Sequence, residues 1–138
     1  KLMPIRQCSD SDCFEVKLTW DMWSELRISK IHDAHIPSAE GWLEDNKHLR
    51  DTAEYKEELD RLAGFKALDA ELNNQFQGKG HLKTAPAIHL TQPDIQWLGW
   101  TLEWSVGIWS WSDGESAGML RAGERALSDM RSLGIKVP

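Results

Sequence analysis

The chain has 138 residues, a net charge of −6, 41% hydrophobic residues and 28% charged residues, which is the size and composition of one globular domain and excludes a disordered chain. The clustered Lys and Arg that phosphate binding needs are missing, so we expect no nucleic-acid partner and no binding to an anionic membrane surface. No run approaches the roughly 18 apolar residues of a membrane helix, and the acidic charge favours a basic protein or a cationic ligand as partner.

The first residues bear on where the protein resides. Lys1 and Leu2 precede Met3, and we interpret these two residues as a vector remnant. The sequence that follows lacks the charged, apolar and small-residue order of a signal peptide, so a cytoplasmic location is predicted. In that compartment Cys8 and Cys13 would be thiols. A small loop disulfide between them is the alternative if the compartment is oxidising.

Two strands are predicted near the N-terminus. Residues 14–20 alternate between apolar and polar side chains, which is typical of a half-buried strand. Residues 26–31 resemble a second, weaker strand, and residues 21–25 would form the loop of a hairpin. A helix over residues 16–28 is an alternative, because two apolar side chains in this range are four residues apart.

Two helices are predicted next. Ser38 is a suitable N-cap for a short helix over residues 39–49. A longer helix over residues 52–76 has apolar side chains at steps of three and four, which give one continuous face. Its opposite face is charged, and Glu57 and Arg61 have the spacing of a helical ion pair. The apolar face consists of Tyr55, Leu59, Leu62, Phe65, Leu68, Leu72 and Phe76.

The most distinctive segment lies in the C-terminal half. A strand is predicted over residues 86–91, with Pro at its first position, and residues 92–94 form a turn signal. Residues 95–112 predict a long bent strand or two strands, with bulges or a turn at Gly99 and Gly107. The strand prediction depends on five alternating apolar positions, namely Trp100, Leu102, Trp104, Val106 and Ile108.

A last helix completes the chain and indicates the fold class. Residues 112–115 form a capping box for a helix that Gly134 ends. Strands that are grouped around helices, rather than alternating with them, favour an α+β fold. We therefore predict one α+β domain over residues 1–138, with an antiparallel β-sheet of about four strands and two to three helices packed on one face.

Tryptophan is the strongest functional signal in the sequence. The chain has eight tryptophans, and helices on one face of a sheet cover only one parity of a strand. We therefore expect Trp109 and Trp111 to be exposed, as is typical of binding surfaces. A carboxylate such as Glu103 near Trp109 would make a cation-binding wall. The predicted binding residues are Trp97, Trp100, Glu103, Trp104, Trp109 and Trp111.

Metal and catalytic signals are weak. Cys8, Cys13, His32 and His35 approach a zinc pattern, but the gap between the histidines is one residue too short. We therefore predict no metal and no cofactor. Nucleophile elbows, phosphate loops and helical His-Glu-x-x-His signatures are missing, so no catalytic residue is predicted. A set of His32, Asp33, His35 and His89 acting with a cysteine is the remaining catalytic arrangement.

Three functions follow in decreasing order of support. The first is a small acidic, non-catalytic binding or regulatory protein that uses a Trp-rich sheet surface for protein–protein interaction or self-association. The alternative is a small-molecule-binding protein, with a Trp-lined pocket for an apolar or cationic ligand. The third is an enzyme that depends on a metal or on His and Cys.

Overall fold

A computed structural model gives the fold, in which three short strands form one antiparallel sheet. β1 comprises Ile5–Gln7, β2 comprises Phe14–Val16 and β3 comprises Ile88–Leu90, and their order is β1-β2-β3. The predicted combination of helices with an antiparallel sheet is confirmed, but the sheet has three strands rather than about four. The residues that the structure describes are 4–9, 12–111, 114 and 116–137.

The two faces of the sheet differ in chemistry. Arg6, Glu15 and His89 lie side by side across the strands on the exposed face. Glu15 accepts a 2.6 Å hydrogen bond from Arg6 Nε and lies 3.5 Å from His89 Nε2. The bond from Arg6 is the main reason that the pKa of Glu15 is lowered to about 2. The other face packs on the helices through Ile5, Phe14, Val16, Ile88 and Leu90, which are at most 3% exposed.

The loop between β1 and β2 is closed by a disulfide. The Cα atoms of Cys8 and Cys13 are 5.2 Å apart, and the Cys8 N–H donates a 2.8 Å hydrogen bond to the Cys13 carbonyl. The expectation of two thiols is therefore wrong, because the antiparallel register places these two residues opposite each other. The cytoplasmic location on which that expectation depended stays a prediction.

A continuous helical run replaces the predicted second strand. α1 (Trp20–Ser24) leads into a π-helical segment (Glu25–His35, called the π segment below), which leads into α2 (Ile36–Asp45). The strand predicted over residues 26–31 is wrong, and the helical alternative is the better description of this region. Thr19 caps the run, since its Oγ1 accepts a 3.2 Å hydrogen bond from the Met22 N–H.

The longest predicted helix is confirmed. α3 comprises Ala53–Phe76, and the side chain of Thr52 caps it by accepting from the Tyr55 N–H at 3.2 Å. Its predicted apolar face is buried from Phe65 onward, whereas Leu59 is 45% exposed. The N-terminal part of α3 therefore extends beyond the core. The shorter predicted helix is displaced: α2 begins before Ser38 rather than after it, and a 3₁₀ turn (Lys47–Leu49) follows.

The tryptophan-rich segment is a helix, not a strand. α4 comprises Gln92–Trp109, with Thr91 at its N-cap and Pro93 in its first turn. The prediction of strands over 95–112 is therefore wrong. Because this segment is a helix, the expected number of two to three helices is also too low. No helix in the described part of the chain, α4 included, is long and apolar enough to cross a membrane.

α5 (Ala117–Ser132) is the predicted last helix, and Gly134 follows its C-cap with a φ of +75°. The capping box at residues 112–115 and the N-terminal residues 1–3 lie outside the described residues, apart from Gly114. Gly123 of α5 faces α4 closely, because a Cβ there would lie 2.8 Å from Val106 Cγ2. The close approach of these two helices therefore needs a residue without a side chain.

Helix side chains occupy both edges of the sheet. Gln75 of α3 pairs with the outer backbone of β3: its Nε2 donates to the His89 carbonyl at 2.6 Å, and its Oε1 accepts from the His89 N–H at 2.9 Å. Asp129 of α5 accepts a 3.2 Å hydrogen bond from the Ile5 N–H on the outer edge of β1. The sheet is thus tied to both helices by side-chain hydrogen bonds.

α3 and α4 meet where the indole of Trp97 lies on Gly64. A Cβ at position 64 would lie 2.1 Å from Trp97 Nε1 and 2.4 Å from Cε2. Trp97 also packs on Phe65, with ring centroids 5.1 Å apart. The absence of a side chain at Gly64 is therefore what allows the two helices to approach this closely.

We expect Gly64→Ala to destabilise the protein. Helix propensity alone would stabilise α3 by about 1 kcal/mol, but displacing a packed indole costs about 1–3 kcal/mol. Gly41→Ala in α2 is the matched control, because a Cβ there meets nothing within 4 Å. Urea unfolding should show a lower midpoint for Gly64→Ala and a higher one for Gly41→Ala. A stabilised Gly64→Ala variant would contradict the packing described here.

Candidate functional site

A cavity of about 350 Å³ lies between the π segment, α2, α3 and α4. Each of the three α-helices presents to it side chains that are one or two turns apart, because residues three, four and seven positions apart share a helix face. Trp104 is 49% exposed and lines this cavity. The aromatic side chains that line the cavity are His35, Trp42, Phe65, Trp100 and Trp104, and its charged side chains are Glu58 and Arg61.

His35 is the centre of the aromatic cluster. Its ring stacks on Phe65 at a centroid distance of 4.8 Å and on Trp100 at 5.9 Å, and it meets Trp104 edge-on at 5.6 Å. The residue is only 8% exposed. Its Nε2 atom is buried and has no hydrogen-bond partner among the described residues. Leaving such an atom unpaired costs about 1–3 kcal/mol. A hydrogen-bond partner for Nε2 would therefore stabilise this arrangement.

Burial determines the charge of His35. Loss of solvent is the main cause, and the positive charge of Lys30 the second, of a pKa lowered to about 4. The imidazole is therefore neutral near pH 7, and Nε2 is a donor or an acceptor depending on the tautomer. His32 lies one turn earlier in the same segment and behaves in the opposite way. Its exposed ring lies 2.9 Å from Asp33, which raises its pKa.

Arg61 and Glu58 supply the charges at the cavity. Arg61 Nη1 donates a short hydrogen bond to Glu58 Oε1, and the guanidinium lies over the Trp100 ring, 5.4 Å from its centroid. Arg61 Nε is buried without a partner among the described residues. The expected pairing of Arg61 with Glu57 is not the one observed, because Arg61 turns toward the cavity rather than toward the solvated face of α3.

The predicted binding residues are divided between several environments. Trp100 and Trp104 line the cavity, whereas Trp97 packs between α3 and α4. Trp111 is 90% exposed, as expected, but the expectation for Trp109 is wrong because it is 4% exposed in the core. Glu103 lies on the exposed side of α4. The structural premise of a Trp-rich sheet surface is therefore wrong, while the binding role of these residues stays a prediction.

The weak metal and catalytic candidates are separated by the fold. Cys8 and Cys13 form the disulfide, His35 lies in the aromatic cluster, and His32 is on the surface. His89 is on the exposed face of the sheet. The described residues contain no group of three His, Cys, Asp or Glu side chains that is placed to hold a metal ion.

Sequence reasoning missed several side chains of this site. Trp42, Phe65 and Glu58 carried no functional signal, and Arg61 was placed on a solvated face. His35 appeared only as a weak metal or catalytic candidate. A possible signal was the i, i+3, i+7 spacing of Glu58, Arg61 and Phe65, which puts two charges on the same strip of helix as a buried ring.

Comparison with known proteins gives no relative. No protein-family model, curated protein or solved structure matches this chain. The cavity itself combines a neutral imidazole, an ion pair of zero net charge and aromatic faces. Aromatic faces with a few polar groups are features of sites that bind small molecules.

The two histidines of the π segment should change stability with pH in opposite directions. The unfolded chain protonates His35 near pH 6.5, before the folded chain does near pH 4. His35 therefore lowers the free energy of unfolding as the pH falls through that window, and His35→Phe should remove this loss. His32 has a raised pKa, so its contribution to stability is present below pH 6.5 and is lost as the pH rises. His32→Gln should therefore lower the free energy of unfolding below pH 6.5.

Urea unfolding of the wild type and both variants, at several pH values between 7 and about 4, measures this contrast. His35→Phe keeps a ring against Phe65 and Trp100, so packing changes little. Parallel stability curves for the wild type and His35→Phe would show that His35 is solvated and titrates normally.

Proposed function

We propose that this protein binds a small planar molecule in the cavity between the π segment, α2, α3 and α4. The observation that carries the proposal is His35, a neutral and almost fully buried imidazole that lines an aromatic-walled cavity and whose Nε2 has no partner among the described residues. A polar atom in such a position is stabilised when a ligand atom completes its hydrogen bond. The ligand supplies that atom and stacks on the surrounding rings.

The dimensions and walls of the cavity support this proposal. Its volume of about 350 Å³ lies in the range of roughly 300–1,000 Å³ that small-molecule sites occupy. The rings contact each other at centroid distances of 4.8–6.1 Å and so form one continuous aromatic wall, and a flat ligand is the shape that stacks on such a wall. A few polar groups among apolar walls are typical of sites that fix the orientation of a ligand.

A neutral ligand fits better than a cationic one. Arg61 already lies over the Trp100 ring and contributes the cation of a cation–π contact. A second cation at this wall would be repelled by the guanidinium. Of the apolar and cationic ligands that the sequence suggested, the cationic one is therefore disfavoured, despite the acidic charge of the whole chain.

Interaction with a protein partner has less support. It relied on Trp97, Trp109 and Trp111 forming one surface, yet only Trp111 among these three is well exposed. Trp104 and Ile108 are half-exposed on the same helix, but nothing in the described residues identifies what would cover them. Ligand binding in the cavity is therefore better supported than binding of a protein partner.

We expect 2-naphthol, a neutral two-ring probe, to bind in this cavity. Titration followed by ¹H–¹⁵N correlation spectra should shift the indole N–H signals of Trp42, Trp100 and Trp104 and leave that of Trp111 unchanged. Trp104→Ala should weaken binding about tenfold, which corresponds to about 1.4 kcal/mol, because it removes one wall.

Trp111→Ala is the matched control, since it removes the same kind of side chain from an exposed position just after α4. It should leave the affinity unchanged. Equal losses in both variants would mean that the probe binds exposed indoles without using the cavity. Tighter binding of phenyltrimethylammonium than of 2-naphthol would reverse the argument about charge.

A further inference from the structure

The buried polar atoms at this cavity indicate the chemical class of its ligand, an inference that rests on the proposed function. Four side-chain nitrogens are buried without a partner among the described residues. Two of them, His35 Nε2 and Arg61 Nε, belong to residues that line this one cavity. The other two are Trp23 Nε1 and Arg27 Nε, which lie elsewhere. The concentration of unpaired groups at one place points to a specific ligand pattern.

The ligand must present an acceptor to Arg61. A guanidinium N–H can only donate and does not lose its proton in proteins. His35 Nε2 adds a second donor to the same cavity in the tautomer that carries its proton there. An sp² oxygen has two lone pairs, so a single such oxygen supplies both acceptor positions once the side chains that cover the two buried nitrogens move aside. A carbonyl oxygen on a planar ring satisfies this requirement.

The charge of the cavity favours a neutral carbonyl over a carboxylate. Glu58 already neutralises Arg61 through the ion pair of Oε1 with Nη1, and His35 adds no charge at neutral pH. A carboxylate ligand would bring a second anion next to Glu58 and would lose its own hydration on entry. Repulsion by Glu58 and loss of hydration both weaken the binding of a carboxylate. A neutral carbonyl avoids both costs.

Glu58 adds the complementary requirement. It lines the cavity with a carboxylate whose side chain is 17% exposed. Only Oε1 carries the bond from Arg61, so Oε2 can accept from a ligand N–H. Glu58 and Arg61 are adjacent because they form an ion pair. A ligand that hydrogen-bonds to both therefore needs a donor for Glu58 next to an acceptor for Arg61. A carbonyl next to a ring N–H has this arrangement.

We propose that the ligand is a neutral, planar cyclic amide of the lactam type, whose carbonyl oxygen accepts from Arg61 Nε and His35 Nε2 and whose ring N–H donates to Glu58. The fused or single ring stacks among Phe65, Trp100 and Trp104. Heterocyclic bases and non-nucleotide lactams that carry a carbonyl next to a ring N–H share this hydrogen-bonding pattern.

Four two-ring probes of similar size test the pattern by calorimetric titration at neutral pH. Isoquinolin-1(2H)-one carries both the carbonyl and the N–H, its N-methyl derivative lacks the N–H, naphthalene lacks both groups, and 1-naphthoate replaces them with a carboxylate. The lactam should bind with an affinity at least about tenfold higher than that of naphthalene. Naphthalene leaves the polar groups of the site unpaired, which lowers its affinity. N-methylation should remove most of that preference.

Two variants locate the groups that read the lactam. His35→Phe should bring the affinities of lactam and naphthalene closer together, because it keeps the ring and removes Nε2. Glu58→Gln should shift the preference toward 1-naphthoate, because Arg61 then lacks its counter-charge. Glu57→Gln, one residue away on the exposed side of α3, should leave the order of the four probes unchanged.

Each other outcome identifies what has failed. Equal binding of lactam and naphthalene overturns the lactam inference and leaves the aromatic cavity as the binding site. Preference of the wild type for 1-naphthoate overturns the argument from charge, and equal binding of the N-methyl derivative overturns the role of Glu58. If none of the four probes binds, the proposed function itself is wrong.

Discussion

The contact between Trp97 and Gly64 determines how close α3 and α4 come, and the cavity depends on that distance. α3 carries Phe65 and Arg61 on the side that meets α4, and α4 carries Trp100 one turn after Trp97. With a side chain at position 64 the indole would have no room, so the rings of Phe65 and Trp100 would move apart. A residue without a side chain thus positions three aromatic rings.

The stack built on that contact explains why a histidine can be buried here. Phe65 and Trp100 both stack on His35 and also contact each other, and the packing leaves His35 only 8% exposed. A charged imidazole would lose its hydration in this position, which is why the ring stays neutral well below its usual pKa. The position of His35 at the end of the π segment is notable, since π-helical turns are rare and are frequently found at functional sites.

The amphipathic helix α3 could be predicted from sequence because its apolar residues recur at steps of three and four over six turns. α4 could not, since a spacing of four, as between Trp100 and Trp104, fits one face of a helix and one parity of a strand equally well. Its Trp, Ile, Val and Thr residues also favour strands. Thr91 and Pro93 were the local signal in favour of a helix, because they are typical of a helix start.

The candidate site shows the same limit. Trp100 and Trp104 were predicted as binding residues, but no sequence pattern brings them to Arg61 and His35, which lie on other elements. Their assembly depends on how four helical segments pack, and a single sequence with local periodicity contains no direct record of that packing.

The side-chain hydrogen bonds at both sheet edges have a consequence for assembly. Strands at the edge of a sheet normally offer unpaired backbone groups to another chain, as in β-strand addition and in fibril growth. Here the Gln75 amide imitates a neighbouring strand on β3, and the Asp129 carboxylate occupies the Ile5 N–H on β1. An incoming strand would have to displace Gln75 to pair with β3, or Asp129 to pair with β1. Each outer strand of the three-stranded sheet therefore offers fewer free backbone groups to another chain.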